Sequence, residues 1–163
     1  MTLTDTFIAK TIINAPKILK YPIKNIPFPI EKKILLKILI PLFKQMIEDE
    51  ELDFLSDKWL KVELTDLHKC WFFSLKEGQL QMKQYHNNQD ICFSAQMNTL
   101  ILLAAKKVDP DTLFFRRKLL ITGDTELGLA LKNLIDNLEL DNLPNIFTRA
   151  LLHYADWIKK FDP

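Results

Sequence analysis

Hydrophobic and polar positions between Asp109 and Leu138 change from a strand pattern to a helix pattern. Residues Lys118 to Thr122 alternate, which predicts a short strand, and a Thr-Gly-Asp break follows it. Gly123 suits an unusual backbone angle at this break, and Asp124 is a candidate N-cap. Apolar residues then recur at helical spacing on one face: Leu127, Ala130, Leu131, Leu134, Ile135 and Leu138. An amphipathic helix is therefore predicted directly after the strand.

Earlier segments also carry strand patterns, and they bring the predicted number of strands to five. They are Trp59 to Leu64, Trp71 to Lys76, Leu80 to Gln84 and Ile91 to Ala95. Glu77-Gly78 is predicted to close a hairpin between the second and third strands. A helix capped by Asn98 or Thr99 is predicted to run through Lys107. This order indicates an α+β fold, with a five-stranded, mainly antiparallel sheet covered by helices on one side.

Two further helices are predicted near the ends of the chain. The first, Glu31 to Ile47, is apolar almost all round, and Lys37 and Pro41 interrupt its pattern. Since roughly 20 apolar residues are needed to span a bilayer, this helix is not expected to cross one. It therefore needs cover from protein, lipid or a partner. The second follows Leu143-Pro144 and has one apolar face: Ile146, Phe147, Ala150, Leu151, Tyr154, Trp157 and Ile158.

Charge divides the chain into two parts. Residues 1–47 hold eight lysines and two acidic residues, a net charge of +6, whereas the remainder holds 14 basic and 19 acidic residues, a net −5. Four prolines in the first 30 residues forbid one long helix, so a short amphipathic helix near residues 4–15 and then an extended arm are predicted. The arm either packs over the domain or contacts a membrane surface or a partner. Its candidate membrane-contact residues are Phe7, Ile8, Lys10, Ile12, Lys17 and Lys20.

Residue patterns typical of catalytic and metal sites are sparse. The three histidines are not spaced as paired metal ligands, and the two cysteines, Cys70 and Cys92, lack zinc-site spacing. No Gly-rich phosphate loop, G-x-S-x-G or dinucleotide-binding fingerprint occurs. We therefore expect no catalytic residues, no metal and no cofactor. The triplet Arg116-Arg117-Lys118 either meets a lipid head group or phosphate, or is a solvated turn. No nucleic-acid partner is expected, because the lysines of the arm are interleaved with aliphatic residues.

The C-terminal half carries a resemblance to a known family. Asp109-Pro110 is predicted to form a turn, Phe114-Phe115 follows, the strand ends in Ile-Thr-Gly at Gly123, and a Leu-rich helix comes next. This motif resembles the signature of the sterol carrier protein 2 (SCP2) family. Upstream, CWFFSLKEGQL and DICFSA resemble that family's hairpin and following strand. The fuller stretch FFRRKLLITGDTELGLALKNLID is similar to the bacterial SCP2-type accessory factors of ubiquinone biosynthesis.

The SCP2 resemblance implies a lipid-binding domain at residues 31–140, between a basic arm at residues 1–30 and an amphipathic helix at residues 141–163. It also implies an apolar cavity between sheet and helices that holds a lipid without catalysing a reaction. The residues expected to line it are Phe73, Phe93, Leu100, Leu103, Phe114, Phe115, Ile121, Leu127, Leu131 and Ile135. Phe114 and Phe115 equally suit packing in the core, and both interpretations stay open.

The similarity to the ubiquinone accessory factors implies a ligand and partners. The expected ligands are polyprenylated ubiquinone intermediates, held for ring-modifying enzymes of the O2-independent pathway. The expected partners are the U32-type hydroxylation factors of that pathway, UbiU and UbiV. A generic fatty-acyl or phospholipid carrier and a scaffold without a ligand stay open as alternatives. Because no signal-peptide pattern is present, the expected location is the cytoplasm, with peripheral contact to the inner membrane.

Overall fold

Five α-helices and five strands lie within residues 25–161, the part of the chain that the computed structural model describes. The helices are α1 (Phe28–Glu48), α2 (Met97–Ala104), α3 (Pro110–Phe115), α4 (Thr125–Asn137) and α5 (Asn145–Phe161). The strands are β1 (Leu60–Leu64), β2 (Lys69–Lys76), β3 (Gln79–Lys83), β4 (Ile91–Ala95) and β5 (Leu119–Gly123). A short 3-10 helix, Asp53–Leu55, precedes β1. The predicted arm helix lies outside these residues, as do the candidate membrane-contact residues Phe7, Ile8, Lys10, Ile12, Lys17 and Lys20.

The strands form one five-stranded sheet in the order β3-β2-β1-β4-β5. β1 pairs parallel with β4, and the remaining neighbours pair antiparallel. The predicted hairpin joins β2 to β3, and its turn residues Glu77 and Gly78 have positive φ angles of 50° and 70°, which suits a tight two-residue turn. The α+β class and the mainly antiparallel five-stranded sheet are therefore confirmed.

Alternate strand residues point to one face of the sheet, and that face carries the hydrophobic core. The main core joins Phe93 and Leu119 to residues of α1, α2 and α4. A second cluster lies at the β2–β3 edge, where Trp71, Phe73 and Met82 pack on α1. The opposite face of the central strands carries polar residues and a cysteine: Lys61, Glu63, Cys92 and Ser94.

A buried ionic contact anchors the start of α1 to β2. The Glu31 side chain is 10% exposed, and its carboxylate accepts a hydrogen bond from Trp71 Nε1 at 3.1 Å and pairs with the Lys69 ammonium. Burial lowers the pKa of Lys69, and the adjacent carboxylate acts in the opposite direction by favouring the charged form. This contact fixes the N-terminal turn of α1 against the sheet.

The rest of α1 is less buried than its apolar sequence suggests. Leu42 and Met46 are buried, whereas Ile30, Ile34 and Ile40 are each about half exposed. The helix continues through Pro41 without ending there. The expected cover for its apolar surface is therefore only partly supplied by the described residues of this chain.

Two predictions about helix starts were wrong. Asp109-Pro110 opens the short helix α3 and does not form a separate turn, because the Asp109 carboxylate caps it by accepting from Thr112 N at 3.0 Å. Helix α2 begins at Met97, before the predicted caps Asn98 and Thr99. Its first N–H donates at 3.1 Å to the Asp66 carboxylate in the turn after β1, so a distant side chain replaces a local cap.

Helix α5 packs on α2 with only part of its predicted apolar face. Leu151, Tyr154 and Ile158 of the predicted face contact the α2 region, together with Leu152 and Ala155, which were not predicted to lie on it. Lys107, just beyond α2, pairs with Asp156 at 2.7 Å, which fixes how α5 is rotated against its neighbour. Four residues of the predicted face consequently remain exposed: Ile146, Phe147, Ala150 and Trp157.

Candidate functional site

The chain between α3 and β5 reverses sharply and sets α3 beside the sheet edge. The turn is closed by backbone bonds from Arg117 N to Phe114 O at 3.0 Å and from Lys118 N to Leu113 O at 2.9 Å. Arg117 takes a positive φ of 56° to make this turn. Leu113 and Leu119 are buried on either side of it, so α3 and the edge strand β5 are held together by packing.

The connection from β5 to α4 requires a glycine. Gly123 has a φ of +112°, and a Cβ there would lie 2.4 Å from the backbone oxygen of Asp90. Asp124 N donates to the same oxygen at 2.9 Å. The Asp124 carboxylate then caps α4 by accepting from Glu126 N and Leu127 N at 2.9 and 3.0 Å, as predicted. The close approach to β4 and the cap together direct α4 back across β5.

These connections leave an open groove between α3, β5 and α4. Its volume is about 320 Å³. β5 supplies Leu119 and Ile121, α3 supplies Phe114, and α4 supplies Gly128 and Leu129. A Cβ at Gly128 would lie 3.4 Å from Ile121 Cγ2, so any larger side chain at this position enters the groove. The groove therefore depends on a glycine in the middle of a helix, where glycine is unfavourable.

An ion pair joins the two helices that flank the groove. Lys132 Nζ on α4 lies 2.6 Å from a carboxylate oxygen of Asp111 on α3, and both residues contribute to the groove lining. The hydrogen bond that Lys132 donates to Asp111 raises the pKa of Lys132, and the charges of Asp111, Asp136 and Asp109 act in the same direction, while desolvation acts against it. The groove thus combines an apolar interior with a cation held at its edge.

A comparison of the sequence with known protein families shows which family has this architecture. The sequence matches the SCP-2 sterol transfer family over residues 37–136, a range that includes the whole sheet and the groove. The chain belongs to this family.

Relatives and solved structures agree with the SCP2 assignment. The ubiquinone biosynthesis accessory factor UbiT of Escherichia coli strain K12 is 39% identical over 155 residues, covering 95% of this chain and 88% of that protein. UbiT of Escherichia coli O157:H7 shows the same identity and coverage. A solved structure described as a UbiJ-SCP2 ubiquinone synthesis protein matches with a TM-score of 0.57 at 20% identity, covering 69% of this chain and 100% of that one. This last likeness shows the shared SCP2 fold.

Two of the ten residues predicted to line an SCP2 lipid cavity contribute to the groove, namely Phe114 and Ile121. Phe93, Leu103 and Leu131 are buried in the main core. The residues that pack against that core from partly buried positions are Leu100, Leu127, Ile121 and Ile135. Phe73 belongs to the second cluster at the β2–β3 edge, and Phe115 is 81% exposed. Lipid contact by these residues stays a prediction, as does an enclosed cavity.

Several groove residues were not among the predicted SCP2 site. The sequence pattern does not indicate Asp111 or Lys132, because their contact depends on a helix at α3, where Asp109-Pro110 predicts a turn. Gly128 offered a usable signal. A glycine inside a strongly amphipathic helix lowers helix stability by up to about 1 kcal/mol relative to alanine, so its presence suggests that space is needed there.

Residues 25–161 contain no group of three or more His, Cys, Asp or Glu side chains arranged to hold a metal ion. Cys70 and Cys92 are free thiols. Within the same range, no helix is long and apolar enough to cross a membrane.

Proposed function

We propose that this protein is a lipid-binding accessory factor of ubiquinone biosynthesis that performs no chemistry itself. It holds polyprenylated intermediates of the O2-independent pathway while other enzymes modify their rings. The similarity to UbiT over 95% of the chain supports this role most strongly, since those relatives are named accessory factors of ubiquinone biosynthesis. The groove of an SCP2 fold supports a lipid as the ligand.

The size of the groove limits how much of such a lipid it holds. Ligand pockets typically have volumes of about 300 to 1,000 Å³, and the groove, at about 320 Å³, is at the small end. Burial of one CH₂ contributes about 0.8 kcal/mol, so exposing a five-carbon prenyl unit to water costs roughly 3 to 4 kcal/mol. A long prenyl tail therefore stays in the membrane unless it is covered almost completely. We infer that the groove takes the ring and the first prenyl carbons.

The groove presents different chemistry to the two parts of this ligand. Ile121, Phe114 and Leu129 offer apolar contact for prenyl carbons. Lys132, at the edge, offers an ammonium for the polar substituents of a ring, in competition with Asp111. Such an arrangement orients an amphiphilic molecule along the groove. The buried residues beneath it, including Leu131, support the groove without entering it.

In this proposal the protein works beside its partners on the cytoplasmic side, in peripheral contact with the inner membrane. The partners are the U32-type hydroxylation factors UbiU and UbiV, in keeping with the UbiT-like sequence. A protein that shields part of a membrane lipid can present its ring to these enzymes without extracting the tail. Copurification of the tagged full-length protein with the two factors tests this part of the proposal.

Mass spectrometry of the lipid extracted from purified protein tests the ligand. Prenylated phenols or quinones support the proposal. Fatty acids or phospholipids would instead indicate a generic lipid carrier, and a protein without lipid would indicate a scaffold. The pathway is tested by deleting the gene and measuring cellular ubiquinone. The proposal requires a loss under O2-free growth and a much smaller loss in air.

A further inference from the structure

The groove of the SCP2 fold opens beside an exposed apolar and basic surface, here named the groove rim: Phe114, Phe115, Arg116, Arg117, Lys118 and Leu129. Phe114 and Leu129 line the groove and are nevertheless 48% and 61% exposed. The Phe115 ring lies against Phe114 in an edge-to-face contact, with ring centroids 6.1 Å apart, and is 81% exposed. Three large apolar side chains thus project into solvent at the mouth of one groove.

The basic residues of the groove rim have no ion-pair partner in the part of the chain that the structure describes. Arg116, Arg117 and Lys118 are all exposed, and none of them has an ionic partner within residues 25–161. Their backbone is held by the hydrogen bonds that close the α3–β5 turn, so the three cations stay next to Phe115. The turn therefore places three basic residues in succession beside Phe115.

The nearby carboxylates already have partners that reduce their effect on these cations. Asp109 caps α3, Asp111 pairs with Lys132, and Asp124 caps α4. The groove rim consequently presents positive charge and exposed rings together. Such a surface is complementary to an anionic bilayer, where basic side chains meet head groups and aromatic rings enter the boundary with the acyl chains.

We propose that the groove rim docks on an anionic lipid bilayer, with the mouth of the groove facing the membrane. This inference rests on the proposed function and adds the surface and the orientation through which lipid enters. A prenylated molecule then passes from the bilayer into the groove between Phe114 and Leu129 without crossing water. Because the prenyl tail does not enter water on this path, the free-energy cost of exposing it to water is avoided.

A second basic and apolar surface, on α1, supplies a matched control. Lys33 and Lys37 are exposed there beside Ile30 and Ile34, and Lys44, also exposed, lies 3.9 Å from the Glu48 carboxylate one turn on. The N-terminal half of α1, which carries Lys33 and Lys37, packs at the β3 edge of the sheet, and its C-terminal half reaches the main core, whereas the groove lies at the β5 edge. Four strand spacings of about 4.8 Å separate these edges by roughly 19 Å, so changes on α1 leave the groove rim intact.

Vesicle co-sedimentation of the full-length protein tests the proposal. Vesicles of phosphatidylglycerol and phosphatidylethanolamine are compared with vesicles of phosphatidylcholine alone. One variant replaces Arg116, Arg117 and Lys118 with Gln, and the control variant replaces Lys33, Lys37 and Lys44 with Gln. Each basic residue near an anionic surface contributes about fivefold in affinity, so the rim variant is expected to bind anionic vesicles at least about tenfold more weakly. The α1 variant is expected to change by less than about threefold.

A second pair of variants tests the aromatic contribution. Phe115→Ser removes a ring that is 81% exposed, and Tyr85→Ser removes one that is 73% exposed at a distance from the groove. Only Phe115→Ser is expected to weaken vesicle binding. Equal losses of vesicle binding in the two basic-triplet variants, or unchanged vesicle binding of the rim variants, would contradict membrane docking by the groove rim. Either result would instead indicate that the rim contacts a protein partner.

The lipid retained by the same purified proteins separates this inference from the proposed function. Prenylated lipid in a protein whose rim variants bind vesicles normally would contradict the docking surface alone. Absence of prenylated lipid from every sample would contradict the proposed ligand, while the vesicle data would still decide the docking surface.

Discussion

Lys132 Nζ lies 2.6 Å from the Asp111 carboxylate and links the two helices that flank the groove. Because this contact spans the groove edge, Lys132→Ala is expected to release bound lipid faster, by about threefold, with little change in thermal stability. Lipid transfer from the loaded protein to acceptor vesicles, followed over time, measures the release. The matched control is Lys107→Ala, which breaks the 2.7 Å pair with Asp156 between the α2 region and α5. Equal acceleration by both variants would indicate general loosening of the fold.

The same pair has a defined pH dependence. The hydrogen bond that Lys132 donates to Asp111 raises the pKa of Lys132 above the ordinary value of 10.5, so the charged form of the lysine is favoured in the folded protein. The contribution of the ion pair to holding α3 and α4 together is therefore fully present below pH 10.5. It is lost as the pH rises through the raised pKa that Lys132 has in the folded protein. The ratio of release rates between Lys132→Ala and the wild type is expected to stay constant from about pH 7 to 9. A ratio that reaches one by pH 8 would contradict this assignment.

The buried contact at the start of α1 predicts a loss of stability. Glu31→Gln keeps an acceptor for Trp71 but leaves the Lys69 ammonium, 13% exposed, without its counter-charge. The free energy of unfolding is expected to fall by about 2 to 3 kcal/mol, measured by urea denaturation. Lys69→Met removes the buried cation, so the double variant is expected to lose less than the sum of the two single changes. Additive losses would show that Glu31 and Lys69 do not act as a pair.

The two turn glycines differ in a way that stability measurements can detect. A Cβ at Gly123 would lie 2.4 Å from the Asp90 backbone oxygen, whereas one at Gly78 would meet nothing within 4 Å. Both have positive φ, so alanine is strained at each, by roughly 1 kcal/mol at Gly78. Gly123→Ala is expected to cost about 3 kcal/mol or more, because backbone must also move. Similar melting temperatures for the two variants would argue against the close approach of β4 and β5 ends.

The sequence predicted the elements whose patterns are local. The helical spacing of Leu131 and Leu134 correctly placed both on a buried face of α4, and Asp124 was correctly chosen as its cap. The strands were found within one or two residues of their bounds, because alternation reflects a sheet with one covered face. Local chemistry is enough for such features.

Contacts between distant residues could not be predicted in the same way. Asp66 caps α2 from 31 residues away, and no local pattern indicates that. Phe114 and Phe115 are adjacent in one motif, but the helical turn of α3 directs Phe114 into the groove and leaves Phe115 exposed. A family motif names both residues and does not separate their positions. The sequence motif therefore does not predict the groove, because the groove is defined by how α3 and α4 pack against β5.

The lipid-to-protein ratio of a Gly128→Leu variant tests the central claim most directly. Leucine raises the helix propensity of α4 and fills the groove toward Ile121, so the variant should fold and lose its ligand. Asn133→Leu adds the same side chain at an exposed position of the same helix and serves as the control. We predict prenylated lipid in the wild type and in Asn133→Leu, and at least about fivefold less in Gly128→Leu. Equal amounts of prenylated lipid in all three folded proteins would contradict the groove as the binding site.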